Sequence, residues 1–256
     1  MIGSWGRKTI IKWASLKSLT IVIPAYNEEN RLPATLKTVL SYLDGQNLDF
    51  AEVIAVNDGS RDATAKVVLD AAAADARVRL VENPGNRGKG YAVRHGLQKA
   101  KGDWVLFTDA DLSAPIEEFG KLAAAVEAQG ADGAIGSRAL DRSLIGVRQP
   151  LFREMSGRFF NLAMRLVTGL PYRDTQCGFK LVSRKAAALI AAKQQIEGFG
   201  FDVEILFIAK KHGLRILEVP VRWNNAEGTK VSLLNGLAAF LDPLEVRRND
   251  WRGLYD

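Results

Sequence analysis

Residues 104–111 read Trp104-Val105-Leu106-Phe107-Thr108-Asp109-Ala110-Asp111, an apolar run that stops at two acids one residue apart. A short apolar run with a polar boundary suits a buried strand, and this one delivers two carboxylates into the loop that follows. Two extended acids in that spacing offer oxygen ligands to a hard divalent cation, which usually shares its shell with phosphate oxygens. Taken alone, a bare Asp-x-Asp more often marks a strand-end turn in which Asp caps the next helix. The neighbourhood has to decide.

From Leu19 outward, short β-branched runs alternate with longer helical patterns, which predicts an α/β domain with a largely parallel central sheet flanked by helices. Strands are expected at Leu19 to Pro24, Ala51 to Asn57, Val78 to Glu82, Trp104 to Thr108, Gly133 to Ser137, Gly178 to Val182 and Arg215 to Val221. Leu32, Leu36, Val39, Leu40 and Leu43 recur at helical spacing, as do Ile116, Phe119, Leu122, Ala123 and Val126 behind Ser113 and Pro115. Those stripes are core. Open α/β sheets bind ligands outside the carboxyl ends of their strands, so those ends list the candidate site. The first ends in Pro24, Ala25, Tyr26, Asn27 and Glu28, the second in Asn57, Asp58, Gly59 and Ser60, and the fourth in Asp109 and Asp111. Acids gathered repeatedly at one edge favour a site over solvated turns.

The chain has 256 residues, enough for one large domain, and a formal net charge of +6. No uninterrupted apolar run reaches the roughly 18 to 20 residues that span a bilayer. The single cysteine, Cys177, excludes an internal disulfide and a cysteine-cluster zinc site and suits a reducing cytosol. The start of the chain does not read as a secretory peptide, which predicts a cytoplasmic protein. Its cations Arg7, Lys8, Lys12 and Lys17 precede the first acid, Glu28, and are interleaved with Ile2, Trp5, Ile10, Ile11, Trp13 and Leu16. Residues 1–18 are therefore either an amphipathic anchor on an anionic membrane face or a solvated terminus. A second amphipathic stretch runs from Val231 through Leu233, Leu234, Leu237, Phe240, Leu241 and Leu244 to the end, residues 231–256, and Phe152, Met155, Phe159, Leu162 and Leu166 form another apolar face; each suits either a membrane interface or core packing, the C-terminal stretch more the membrane. Residues 19–230 are the expected domain, with halves 19–113 and 114–230.

Between the third and fourth strands lies Asn83-Pro84-Gly85-Asn86-Arg87-Gly88-Lys89-Gly90, which alone reads first as a plain glycine turn and otherwise as a helix entrance whose backbone N–H groups approach an anion beside Arg87 and Lys89. Its glycine order is neither the dinucleotide fingerprint nor a Walker loop. Taken in order, Ile23 to Glu29, Val56 to Ser60, Asn86 to Gly90 and Thr108 to Asp111 resemble the nucleotide-sugar half of family 2 glycosyltransferases. Gly136-Ser137-Arg138, Asp174 to Lys180, Gly200 to Glu204, Val219 to Trp223 and Gly228-Thr229-Lys230 narrow the resemblance to the dolichyl-phosphate β-glucosyltransferases and their bacterial polyprenyl-phosphate relatives.

The resemblance implies a GT-A fold that binds UDP-glucose. Pro24, Ala25, Tyr26, Glu28, Asp58 and Lys89 would surround the uridine, while Asp109 and Asp111 would hold ribose and a Mg²⁺ or Mn²⁺ ion on the diphosphate. It also implies a polyprenyl monophosphate acceptor and inverting transfer of a hexose, with GDP-mannose as the alternative donor and a catalytically silent nucleotide-sugar binder as the alternative class. A phosphate monoester has a second pKa of about 6, so this nucleophile is already mostly anionic and needs no strong base. His95 and His212 are then expected to be ordinary packing or surface residues. Two phosphate groups do require cations, and Arg138, Arg148, Arg153, Arg222 and Lys230 are the candidates for the acceptor. Asp174 or Asp202 would orient sugar hydroxyls or act as a weak base, with structural capping as the alternative for each. Peripheral contact with the cytoplasmic membrane face is expected; a nucleic-acid partner is not.

Overall fold

The computed structural model describes residues 16–146, 164–224 and 242–256. The seven strands expected from the sequence are all present: β1 (Ser18–Ala25), β2 (Phe50–Asn57), β3 (Val78–Glu82), β4 (Trp104–Thr108), β5 (Gly133–Ser137), β6 (Phe179–Ser183) and β7 (Ile216–Pro220). They form one sheet in the order β3-β2-β1-β4-β6-β5-β7. All neighbouring pairs are parallel except those of β6, which runs antiparallel to both β4 and β5.

Reversal of β6 has a direct consequence for the site. The carboxyl ends of the other six strands share one edge with the start of β6, so the segment leading into Phe179 lies beside the end of β4. The β1–β4 ladder runs only from Leu19↔Trp104 to Val22↔Phe107, leaving the last residues of β1 outside that ladder. Chain order departs in opposite directions from β1 and β4, and ligand clefts in open α/β sheets form at this kind of switch point.

The central strands are covered on both faces, which is why β1 and β4 read as continuous apolar runs. Ile21, Ile23 and Leu106 pack on one side with α1 (Leu32–Asp44), α2 (Thr64–Ala74) and α4 (Phe119–Gln129). Val22, Val105 and Phe107 pack on the other with α3 (Lys89–Lys99), α5 (Arg184–Lys193), α6 (Phe201–Lys211) and α7 (Asp242–Trp251). Each fully buried Leu, Ile or Phe in these layers contributes about 1.5–3 kcal/mol. The stripe beginning at Ile116 opens as a single tight turn, Ile116–Glu118, before α4.

Val246, Asn249 and Tyr255 are buried, so residues 242–256 pack on this body. Leu16 is also buried, and the Lys17 ammonium donates to the Asn47 carbonyl at 3.1 Å. The rest of the two expected amphipathic terminal segments lies outside the described residues, as do Phe152, Met155, Phe159 and Leu162 of the third apolar face. Among the described residues no helix is long and apolar enough to cross a membrane.

Candidate active site

The Asp109–Asp111 turn is fixed from four directions. Asp109 N–H donates to the Gly178 carbonyl at 3.2 Å, Leu112 N–H to the Asp109 carbonyl at 3.2 Å, and the Thr35 hydroxyl of α1 to the Ala110 carbonyl. Asp111 Oδ1 accepts from Ser113 N–H at 2.9 Å, closing an Asx turn in which Leu112 takes φ +46°. Both readings of the sequence therefore meet in Asp111: one oxygen shapes the turn and the other stays outside that bond. A Cβ on Gly178 would lie 2.1 Å from Asp109 Oδ2, so the absence of a side chain there makes room for the carboxylate.

Lys89, the first residue of α3, places Nζ 2.6 Å from Asp109 Oδ1. Burial disfavours its charge, but Asp109 and Asp202 outweigh that and hold the ammonium above its ordinary pKa. Behind this pair, buried Asp202 at the start of α6 pairs with buried Lys180 of β6. Lys180 Nζ also donates to the Cys177 carbonyl at 2.7 Å and stands 5.0 Å from the Phe107 ring centroid. Burial pushes the Asp202 carboxyl up, against the pull of Lys180 and Lys89. Cys177 itself is fully buried and its thiol is pushed up to about 12 by that burial, which suits a packing residue and not a nucleophile.

The glycine-rich loop follows the glycine-turn reading, with most of its N–H groups bonded within the protein. Asp58 accepts from Asn83 Nδ2 at 2.7 Å, Arg87 N–H at 3.0 Å and Gly88 N–H at 2.8 Å. Gly90 and Tyr91 N–H both donate to the Glu197 carbonyl, at 2.7 and 3.2 Å. Four backbone N–H groups are thus taken by the protein. Gly88 takes φ +107°, and a Cβ on it would stand 2.5 Å from the Glu197 carbonyl oxygen; one on Gly90 would meet the Ile196 carbonyl oxygen at the same distance. These glycines let the 196–197 backbone close on α3, and through it they place Lys89. Arg87 completes the clasp with a two-bond pair to Glu197 at 2.9 and 2.6 Å.

At the end of β1, Ala25 carbonyl accepts Asp58 N–H at 2.9 Å, so Pro24, Ala25 and Asp58 form one wall. Tyr26 and Glu28 follow on a loop laced to the start of α2: Asn27 N–H donates to Ser60 Oγ at 2.9 Å and Glu28 N–H to Thr64 Oγ1 at 2.8 Å. His95 Nδ1 lies 2.8 Å from Asn83 Oδ1 and His212 Nε2 lies 2.7 Å from the Tyr255 carbonyl, so both histidines have structural partners.

On the far side of β6, Asp174 is 2% exposed and holds Arg138 by three bonds: Oδ2 accepts from its N–H at 2.9 Å and Nε at 2.7 Å, Oδ1 from Nη2 at 2.8 Å. Burial alone would raise the Asp174 carboxyl, but the guanidinium outweighs it and holds it below the usual carboxylate range. Arg138 also stands 4.7 Å over the Trp223 ring centroid. Arg222 takes a different course: its N–H and Nε donate to buried Glu118 in the turn before α4, which fixes the exit of β7. Arg148, Arg153 and Lys230 lie outside the described residues. Sequence reading quoted Lys180 without giving it a role and did not single out Glu118, Glu197 or Glu218; each lies on an element far in sequence from the group it holds.

Asp109 and Asp111 are hard oxygen donors, and among the described residues no group of three or more His, Cys, Asp or Glu could hold a metal by itself. Two carboxylates without a closed protein shell fit Mg²⁺ or Mn²⁺, which complete their shells with phosphate oxygens and water.

The model of glycosyl transferase family 2 matches residues 20–190. Dolichyl-phosphate beta-glucosyltransferase of Drosophila melanogaster is 39% identical over 226 residues, covering 84% of this chain and 70% of the relative. The Homo sapiens protein of that name is 38% identical over 229 residues, with 84% and 70% covered, and ALG5D of Trichomonas vaginalis, also so named, is 33% identical over 245 residues, with 91% and 75% covered. Among solved structures, glucosyl-3-phosphoglycerate synthase from Mycobacterium tuberculosis in complex with UDP superposes with a TM-score of 0.67 at 19% identity, over 95% of this chain and 86% of that one. The same enzyme with Mn²⁺, UDP-glucose and phosphoglyceric acid gives 0.66 at 19% identity, over 96% and 86%. The paired acids at the β1/β4 switch point, the sheet that carries them and these likenesses agree: the chain belongs to glycosyl transferase family 2 and is a glycosyltransferase of GT-A fold.

Proposed function

We propose that this enzyme transfers glucose from UDP-glucose to the phosphate of a dolichyl or other polyprenyl phosphate, inverting the anomeric centre. The relatives' names supply sugar and acceptor. The observation in this chain that carries the reading is that Asp174 and Asp202, the acceptor-half carboxylates, are each paired with a cation, Arg138 and Lys180. A saccharide hydroxyl would need one of them as a general base, but Arg138 depresses Asp174, and Asp202 is buried with an oxygen engaged by Lys180. A phosphate monoester brings its own negative oxygen.

In this mechanism the acceptor oxygen attacks the anomeric carbon while the bond to UDP breaks on the opposite face, its electron pair leaving on the diphosphate. Lys89 and the β1–β2 wall orient the nucleoside end, and Arg138 orients the acceptor phosphate. Asp109 and Asp111 would hold Mg²⁺ or Mn²⁺, which supplies positive charge against the departing diphosphate. Of the two terminal segments, residues 1–15 and 231–241 would bring the enzyme to the cytoplasmic face of a membrane, where the lipid acceptor resides, since 242–256 pack on the domain.

Purified protein incubated with labelled UDP-glucose, a short polyprenyl phosphate and Mg²⁺ should pass label into the organic phase, and chelation should abolish it. No glycolipid from either UDP-glucose or GDP-mannose would overturn the reading, and product from GDP-mannose alone would replace the donor. Flotation with anionic vesicles at low salt, reversed by added salt, tests the membrane contact.

A further inference from the structure

Glu218 of β7 is a carboxylate that the mechanism does not use, one strand from the proposed acceptor cation. The sheet order β6-β5-β7 sets the segment before β6, the end of β5 and β7 side by side. Glu218 Oε1 accepts from the Ser137 hydroxyl at 2.7 Å, Asp174 N–H at 2.8 Å and Arg173 N–H at 3.0 Å; Oε2 shares the Arg173 N–H, also at 3.0 Å. Asp174, whose backbone is anchored in this way, is the residue that grips Arg138 by N–H, Nε and Nη2. Trp223 under the guanidinium closes the other side. A planar guanidinium gripped at one edge and backed by an indole is pre-organised, and its Nη1 lies outside the carboxylate fork.

A second acid so near a cation meant for an anionic ligand weakens the local field, which makes its presence informative. Its oxygens are engaged with two backbone N–H groups and a hydroxyl, so its work is to shape the 173–174 turn. We propose that Glu218 is the positioning residue of Arg138: it sets the Arg173–Asp174 backbone so that the Asp174 fork aims the guanidinium at the acceptor phosphate. The proposal rests on the polyprenyl-phosphate reading above.

The test is steady-state kinetics with UDP-glucose and a short polyprenyl phosphate on three variants. Glu218→Ala removes all four contacts and should raise the KM for polyprenyl phosphate about tenfold, leaving kcat and the KM for UDP-glucose within about twofold. Glu218→Gln keeps an oxygen at the Oε1 position for all three donors and gives up only the second arm of the shared Arg173 N–H, so its acceptor KM should rise clearly less than that of Glu218→Ala, with the KM for UDP-glucose unmoved. Ser137→Ala deletes one of the three donors to Oε1 and should move the acceptor KM in the same direction by about threefold. An unmoved acceptor KM in both alanine variants, donor and acceptor KM rising together, or Glu218→Gln as impaired as Glu218→Ala would each overturn the proposal alone. Absence of glycolipid from the unsubstituted protein would instead overturn the acceptor reading, and the proposal with it.

Discussion

Asp109 is held between a cation and a gap. Lys89 stands 2.6 Å from one oxygen, and the missing side chain of Gly178 gives the other its space. Gly178→Ala should therefore displace the carboxylate and lower transfer about a hundredfold or more, while circular dichroism shows the fold intact. Asp111→Asn keeps an oxygen for the Ser113 turn but halves the charge of the acid pair, so activity should require about tenfold more Mg²⁺ for half-saturation. Full activity of Asp111→Asn at unchanged Mg²⁺ would remove it from the metal site. The two acids were legible in the sequence because they are neighbours in the chain. Asp174 and Asp202 were legible only as acids within motifs and without their partners, because the cations that decide their behaviour, Arg138 and Lys180, sit 36 and 22 residues away.

At the scale of elements, the edge of the sheet is tied shut by pairs that cross it. Glu118 is 1% exposed and links the entrance of α4 to the exit of β7 through Arg222, with Lys121 2.6 Å away. Burial alone would raise its carboxyl, but Lys121 and Arg222 outweigh that and lower it. A carboxyl lowered in the folded state stabilises fully above its unfolded pKa, here about 4.5, and that contribution is lost as pH falls through the folded value. Glu118→Gln should thus be less stable than the parent by about 1–3 kcal/mol at pH 7. Urea midpoints measured down the pH scale should converge once pH drops below about 4.5; a gap that stays constant would show that charge is not its source. Strand positions followed from β-branched runs, but the reversal of β6 did not, since a strand packed on both faces has one hydrophobic pattern for either direction.

The whole molecule is a three-layer domain whose far end is drawn into its core. The Tyr255 side chain is completely buried, and its hydroxyl donates to Glu204 at 2.7 Å; Glu204 in turn accepts Gln195 and Ile196 N–H at 2.8 and 2.9 Å. Those residues lead into the Glu197 carbonyl that receives the first turn of α3, so the C-terminal segment supports the helix carrying Lys89. Tyr255→Phe should lower stability by about 1–2 kcal/mol in urea unfolding, with an unchanged denaturant slope. A wild-type midpoint would mean that the buried bond contributes nothing net. By itself the sequence determined the α/β class, the strands, the core stripes and the edge that gathers the acids, because period, turn chemistry and strand ends are local properties of a chain. Only the tertiary structure decided that β6 is reversed, that the glycine loop closes on Asp58 and the Glu197 carbonyl, and that Asp174 and Asp202 are matched to Arg138 and Lys180. Burial and ion pairing depend on which distant segments are brought within a few ångströms, and nothing in the spacing along the chain encodes that distance.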